Sequence, residues 1–437
     1  MSVSRREILK LSGTAAVAAA AKGWAGEAAG MAALTDGRED WEWVRGLFAL
    51  SRDKVHMSAM LLASHPAPVR EAIEEHRREL DADPVEYLEK NNTALTEAAR
   101  KSAGEYLGVH ASHIALTDST TMGLGLVYNG LKLRPRQEML TTTEDYFVTH
   151  ESLRLASEKW SAHVRRIALF DRVEEATEDQ IVSRVVDAIT PSTRLVAVTW
   201  VHSSTGLKIP VAGIAAALRE VNAGRDEEDQ VLLGVDGVHG FGVEDTSFAK
   251  LGCDFLMAGC HKWLFGPRGT GVIAFSGKGL AAVRATIPSF TDDGVFAAWI
   301  KRRAQPPGSN NGRRMTPGGF KAFEHRWALT KAFELHRTIG KSRVAARTHE
   351  LATALKEVLD EAPGVAVRTP QDTRLSAGIV AFDVEGLSPD AVVSRLRRQR
   401  IVASVSPYAR PYVRLTPSIR NSEAEIEQVA AAMWEIA

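Results

Sequence analysis

The sequence predicts an α/β protein, with a large, mostly parallel seven-stranded sheet followed by a smaller C-terminal α+β domain. Three observations carry that expectation. Seven short apolar runs lie between residues 114 and 275, helical patterns separate several of them, and a proline- and glycine-rich stretch at 305–319 ends the alternation. Strands that alternate with helices pair in parallel and are covered on both faces.

Taken in order, residues 69–80 and 94–106 repeat apolar side chains at helical spacing and read as amphipathic helices. The strand candidates are 114–117, 138–142, 164–167, 195–200, 231–236, 255–258 and 271–275. Residues 151–159, 177–189 and 211–221 carry helical patterns between them. A long helical region follows at 320–362, then strands at 379–384 and 413–416 and a closing helix at 423–436. The expected division is a signal at 1–30, an N-terminal arm at 31–60, a large domain at 61–319 and a small domain at 320–437.

At 437 residues the chain exceeds one small core, so two domains are expected. A composition of 45% hydrophobic and 25% charged residues is that of an ordinary soluble globular protein. Its 54 basic side chains balance 54 acidic ones, which argues against a nucleic-acid binder or a protein drawn to anionic membranes. Cys253 and Cys260 are too few for a disulfide framework, and no CxxC pair or HExxH run offers a zinc site.

The opening segment has a different character. Ser4-Arg5-Arg6-Glu7-Ile8-Leu9-Lys10 precedes a mildly apolar, alanine-rich run at 11–21, which is too short to span a bilayer. Paired arginines ahead of such a run resemble a twin-arginine (Tat) export signal. That resemblance implies the Tat translocase as a partner, cleavage between residues 21 and 33, and a periplasmic or extracellular location.

Chemistry concentrates in two runs, 231–240 and 259–264. The first is an apolar strand ending in Asp236, which puts a carboxylate at the sheet's carboxyl edge, where open α/β sheets bind ligands. Lys262, 26 residues later, is expected to end the next strand and face the same crevice. A partly desolvated lysine can deprotonate and form an imine. Pyridoxal phosphate chemistry requires such a lysine, together with a carboxylate that keeps the pyridine nitrogen protonated. Asp236 ahead of Gly237 also fits a turn, and Lys262 alone fits a surface lysine. The pair, its spacing and the glycine-rich flank at 266–271 favour the catalytic reading.

These runs resemble the class V aminotransferases, fold-type I pyridoxal phosphate enzymes that include isopenicillin N epimerases, cysteine desulfurases and kynureninases. Cys260-His261-Lys262-Trp263-Leu264 most resembles the epimerase-like branch. The resemblance implies a fold-type I architecture, pyridoxal 5′-phosphate as cofactor and a homodimer. It places Ser119, Thr120 and Thr121, which open an apolar helix after a strand, at the cofactor phosphate. It makes Tyr146 the stacking ring, and Ser203 stands where an Asn usually meets the cofactor's phenolic oxygen. His239 and His261 match further cofactor contacts, and Lys262 and Asp236 match the catalytic pair. Thr316, in Met315-Thr316-Pro317-Gly318-Gly319, matches a hydroxyl that reaches the phosphate site of the other subunit, with Met315 replacing the usual Gly.

Arg414 matches the arginine that forks a substrate carboxylate in this family, a role suited to a planar guanidinium. Residues 404–411 ahead of it hold no cysteine, so the sulfur-carrying residue of a desulfurase is missing and cysteine desulfuration is not expected. The expected activity is an exported enzyme that transforms the amino group of an amino acid or peptide residue, by transamination or by oxidative or decarboxylative tailoring. With the export signal, this resembles enzymes that mature peptide siderophores of the pyoverdine type by modifying a glutamate residue. An amino-acid epimerase is the alternative. A ligand-binding relic of the fold, without turnover, is the alternative from another class.

Overall fold

Seven strands build the central sheet in a computed structural model, which describes residues 38–304 and 310–437. The Arg5–Arg6 pair lies outside the described residues. The strands are β1 (Ile114–Thr117), β2 (Glu138–Thr142), β3 (His163–Ile167), β4 (Thr193–Thr199), β5 (Leu232–Asp236), β6 (Phe255–Gly259) and β7 (Gly271–Phe275). Their spatial order is β1-β7-β6-β5-β4-β2-β3. Only β7 runs against its neighbours β1 and β6; the remaining pairs are parallel. Every residue of β4, β5, β6 and β7 is buried, as expected of central strands covered on both faces.

Because these strands are parallel, the carboxyl ends of β1, β2, β4, β5 and β6 share one edge of the sheet. That edge is where the site forms. The helices Thr120–Gly130 and Phe147–Trp160 start there, directly after β1 and β2. Glycine is required where this edge is tightest. A Cβ at Gly259 would stand 3.1 Å from Thr120 Oγ1, and one at Gly271 would stand 2.9 Å from Thr117 Oγ1.

The C-terminal sheet holds β8 (Val365–Val367), β9 (Val380–Val384), β10 (Ser404–Val405) and β11 (Val413–Leu415). Its order is β10-β11-β9-β8, antiparallel throughout. Its core is formed with Leu351, Leu355 and Leu359 of the helix Lys341–Asp360 and Ile426 and Val429 of the closing helix Glu423–Ile436. The helix Phe323–Ile339 packs differently. Ala328, Leu329, Ala332 and Phe333 join the core of the large sheet. The chain before the large domain is also tied to the small one, since Val55–His56 pairs in parallel with Ile401–Val402. From there it brings Met60 and Leu61 to the sheet edge.

Candidate active site

Ten of the eleven residues singled out in the sequence line one cavity of about 230 Å³ at the carboxyl edge of the large sheet. Ser119, Thr120 and Thr121 come from the β1 turn, Tyr146 from the β2 turn, Ser203 from the loop after β4, and Asp236 and His239 from β5 and its turn. His261 and Lys262 follow β6, and Arg414 enters from β11.

The helix start is assembled by local hydrogen bonds. The Ser119 hydroxyl accepts from the Met122 amide at 3.1 Å, capping the helix. The Gly259 amide donates to Thr120 Oγ1 at 2.7 Å, which ties this turn to the end of β6. The first amides of a helix have no partner within it, so they face the cavity as an anion site.

Lys262 does not end a strand as expected. β6 stops at Gly259, because the chain turns back there: the Gly266 amide donates to Cys260 O at 2.8 Å and the Phe265 amide to Lys262 O at 3.0 Å. Phe265 sits at φ 55°, a left-handed conformation that closes this loop. The turn still delivers the Lys262 ammonium to the cavity that holds Asp236.

The electrostatics favour an active lysine. Burial lowers Lys262 to about 8, with Arg414 adding to the effect and Asp236 opposing it. Asp236 is 2% exposed, and burial raises it to about 6 despite the hydrogen bond from the Val238 amide at 3.0 Å and the charge of Lys262. An Asp so buried gains from a cationic partner in the cavity.

His239 is held neutral by burial and by the charge of Lys262, which push its pKa down. The Trp263 indole donates to its Nδ1 at 3.2 Å. Since an indole N–H can only donate, His239 carries its proton on Nε2 and presents a donor. His261 is also pushed down by burial, and its buried Nδ1 has no hydrogen-bond partner among the described residues.

Arg414 is 2% exposed and makes no ion pair with any carboxylate among the described residues. Its Nη1 donates to Ser203 O at 2.6 Å and its Nη2 to Val405 O at 2.9 Å, and its buried Nε has no partner. Burial lowers it to about 10, still charged at neutral pH. A buried guanidinium held by neutral carbonyls retains attraction for an anion.

Thr316 stands apart. It is 1% exposed, its hydroxyl donates to Gly312 O at 2.7 Å and accepts from the Leu116 amide at 3.1 Å, and it does not line the cavity. Within one chain this hydroxyl is held by its own backbone, and its expected reach to a partner's phosphate site belongs to the homodimer reading.

Two residues that the sequence reading did not select shape the site. Asp145 is buried and accepts from Thr141 Oγ1 at 2.6 Å, the Thr142 amide at 2.8 Å and the Thr199 amide at 2.7 Å. It therefore pins the ends of β2 and β4 together and fixes the turn that carries Tyr146. Tyr408, on the loop between β10 and β11, meets the Ser203 hydroxyl at 2.7 Å, and its ring lies 5.8 Å from that of Tyr146. An Asp after threonines at a strand end is a turn signal that marks Asp145. Tyr408 has no local signal.

The family model of Aminotransferase class-V matches residues 63–406. The chain belongs to the class V aminotransferases. Among curated relatives, isopenicillin N epimerase of Streptomyces clavuligerus is 26% identical over 401 residues, covering 90% of this chain and 98% of the relative. A probable cysteine desulfurase of Pyrococcus abyssi is 23% identical over 412 residues, covering 90% and 97%. Among solved structures, a variant of the enzyme C-DES with glycine covalently linked to its PLP cofactor superposes with a TM-score of 0.80 at 21% identity, covering 90% of this chain and 99% of that one. The cysteine desulfurase of Thermococcus onnurineus NA1 gives a TM-score of 0.77 at 21% identity, covering 90% and 97%. The fold is therefore fold-type I, and the cofactor of this class V enzyme is pyridoxal 5′-phosphate.

The residues present fit that cofactor. A capped helix start offers donors for a phosphate, Asp236 offers a carboxylate for a protonated ring nitrogen, and Lys262 offers a primary amine of lowered pKa. His261 contributes a buried ring nitrogen, Nδ1, without a hydrogen-bond partner among the described residues.

Proposed function

We propose that this class V enzyme transforms the amino group of an amino acid, or of an amino-acid residue within a peptide, that also presents a carboxylate. The observation that carries the reading is Arg414, a buried cation without a counter-ion among the described residues, set in the same cavity as Lys262 and Asp236. When bound, pyridoxal phosphate supplies an electron sink for the substrate α-carbon. Asp236 holds positive charge at the cofactor's ring nitrogen, and Ser119, Thr120 and Thr121 hold the phosphate end. Lys262 removes and returns a proton at the substrate α-carbon, a role favoured by its lowered pKa. Arg414 receives the carboxylate and so fixes which bond at the α-carbon faces the lysine. Tyr146 gives the ring a flat apolar wall.

Transamination or oxidative or decarboxylative tailoring fits this arrangement, and the full-length epimerase relatives favour epimerisation as the second reading. Incubating holoenzyme in deuterated buffer with free amino acids and with a glutamate-containing peptide siderophore precursor separates them by mass spectrometry and chiral analysis. A carbonyl or decarboxylated product supports tailoring, and an inverted, deuterated product with the amine retained supports epimerisation. No change in any carboxylate-bearing substrate would overturn the proposal.

Desulfuration is disfavoured by the position of the thiols. Cys253 and Cys260 are both fully buried with their pKa values pushed up by burial, which opposes the thiolate that sulfur transfer needs. Export through Tat to the periplasm remains part of this reading on the strength of Arg5-Arg6 and the run that follows. A homodimer is also part of it. Leu61 stands exposed at the cavity, and Leu62, Phe147, Phe290, Phe296, Trp299 and Phe320 leave further apolar surface open. Light scattering on purified holoenzyme tests the dimer, and a monomeric mass at micromolar concentration would exclude it.

A further inference from the structure

The loop between β10 and β11 is braced to present one side chain. The Ser406 amide donates to Tyr412 O at 2.9 Å, the Tyr412 amide to Ser406 Oγ at 2.8 Å, and the Tyr408 amide to Ser406 O at 3.0 Å. Pro407 stiffens the tip and lines the cavity. The loop's Tyr408 meets the Ser203 hydroxyl at 2.7 Å, while Arg414 on the adjoining strand donates to the Ser203 carbonyl at 2.6 Å. Two side chains of the small domain thus grip a single residue of the large one at both of its oxygens.

The proton arrangement in that grip follows from acidity. The charged groups around Tyr408 are Arg414 on its own hairpin and Asp145 and Asp236 at the sheet edge, and burial raises the phenol, so it keeps its proton. A phenol is a stronger donor than an alcohol, so the phenol donates and Ser203 accepts. The Ser203 proton is then directed away from Tyr408, and Ser203 borders the cofactor cavity.

We propose that Tyr408 is a positioning residue: by donating to Ser203 it turns the Ser203 hydroxyl proton into the cavity, as a hydrogen-bond donor to the bound cofactor. This inference rests on the cofactor reading above. A donor to a negative oxygen favours the deprotonated form of the group that bears it, so losing the donor raises that group's apparent pKa.

The test is the pH titration of the holoenzyme's visible absorbance. Tyr408→Phe keeps the ring against Tyr146 and removes only the hydroxyl. Its titration midpoint should rise by about half a unit to one unit relative to the unaltered enzyme, the size of one neutral hydrogen bond. Ser203→Ala should rise by the same amount, the double variant no further, and Ser203→Thr should stay at the original midpoint. A Tyr408→Phe midpoint equal to that of the unaltered enzyme overturns the proposal and leaves the cofactor reading standing. If Tyr408→Phe yields no folded holoenzyme, an unmoved Ser203→Ala midpoint overturns the proposal and a raised one supports it. Absence of any visible band from the unaltered enzyme would instead overturn the cofactor reading.

Discussion

Replacing Asp236 with Asn should stabilise the cofactor-free protein at neutral pH while destroying its activity. Asp236 is buried, and its pKa rises from 3.8 to about 6. The sign follows from linkage. Well below pH 4 the carboxyl is protonated in both folded and unfolded chains, so Asp and Asn are equivalent in charge. As pH rises from 4 to 6 the unfolded chain ionises while the folded chain holds its proton, and the folded state loses stability. Above pH 6 the loss is complete. A shift of roughly two units corresponds to about 3 kcal/mol, with the opposing charge of Lys262 already included in it. Asn keeps an oxygen to accept from the Val238 amide, so that amide stays paired. For a chain of this size that stabilisation raises Tm by about 2–4 °C. Differential scanning fluorimetry of both apoproteins from pH 4 to 8 reads it directly. The two curves should converge toward pH 4 and separate toward pH 7. Equal Tm values at pH 7, or a gap that widens toward acid, would refute the claim that burial strains this carboxylate.

Arg414→Ala should lower kcat/KM by roughly 30- to 1,000-fold, the value of a charged bidentate contact in a partly dry site, and Arg414→Lys should recover little of it. Near-normal kinetics in the Ala variant would mean that the substrate presents no carboxylate there. Asp145→Ala leaves the buried Thr142 and Thr199 amides without an acceptor and should cost about 3–5 kcal/mol in urea unfolding. A loss under 1 kcal/mol would show that the β2 and β4 ends hold without it. Arg5→Lys with Arg6→Lys should leave folded, coloured protein in the cytoplasm, and unchanged periplasmic yield on fractionation would exclude twin-arginine export.

Strand positions were legible because each depends on a local apolar run. β1, β2 and β7 fall on the expected residues, and the other four strands differ by one or two positions at their ends. The residues after those strands were legible for the same reason, since in a parallel sheet the loops at one edge converge. Long-range packing was not legible. Nothing near Phe323 shows that its helix faces the large core, because an apolar helical stripe does not name its partner. Lys262 was expected at a strand end because its run is apolar, whereas the turn through Phe265 is set by contacts back to Cys260. Tyr408 touches Ser203 across 205 positions of chain, and no local pattern encodes such a contact.

The most direct test of the account is to identify the lysine that carries the cofactor. Holoenzyme reduced with borohydride, digested and sequenced by mass spectrometry should carry a pyridoxyl group on the peptide containing Cys260-His261-Lys262-Trp263, at Lys262. Lys262→Ala should fold normally and yield no such adduct. An adduct on another lysine, or none from a protein that binds the cofactor, would contradict the assignment on which the proposed chemistry depends.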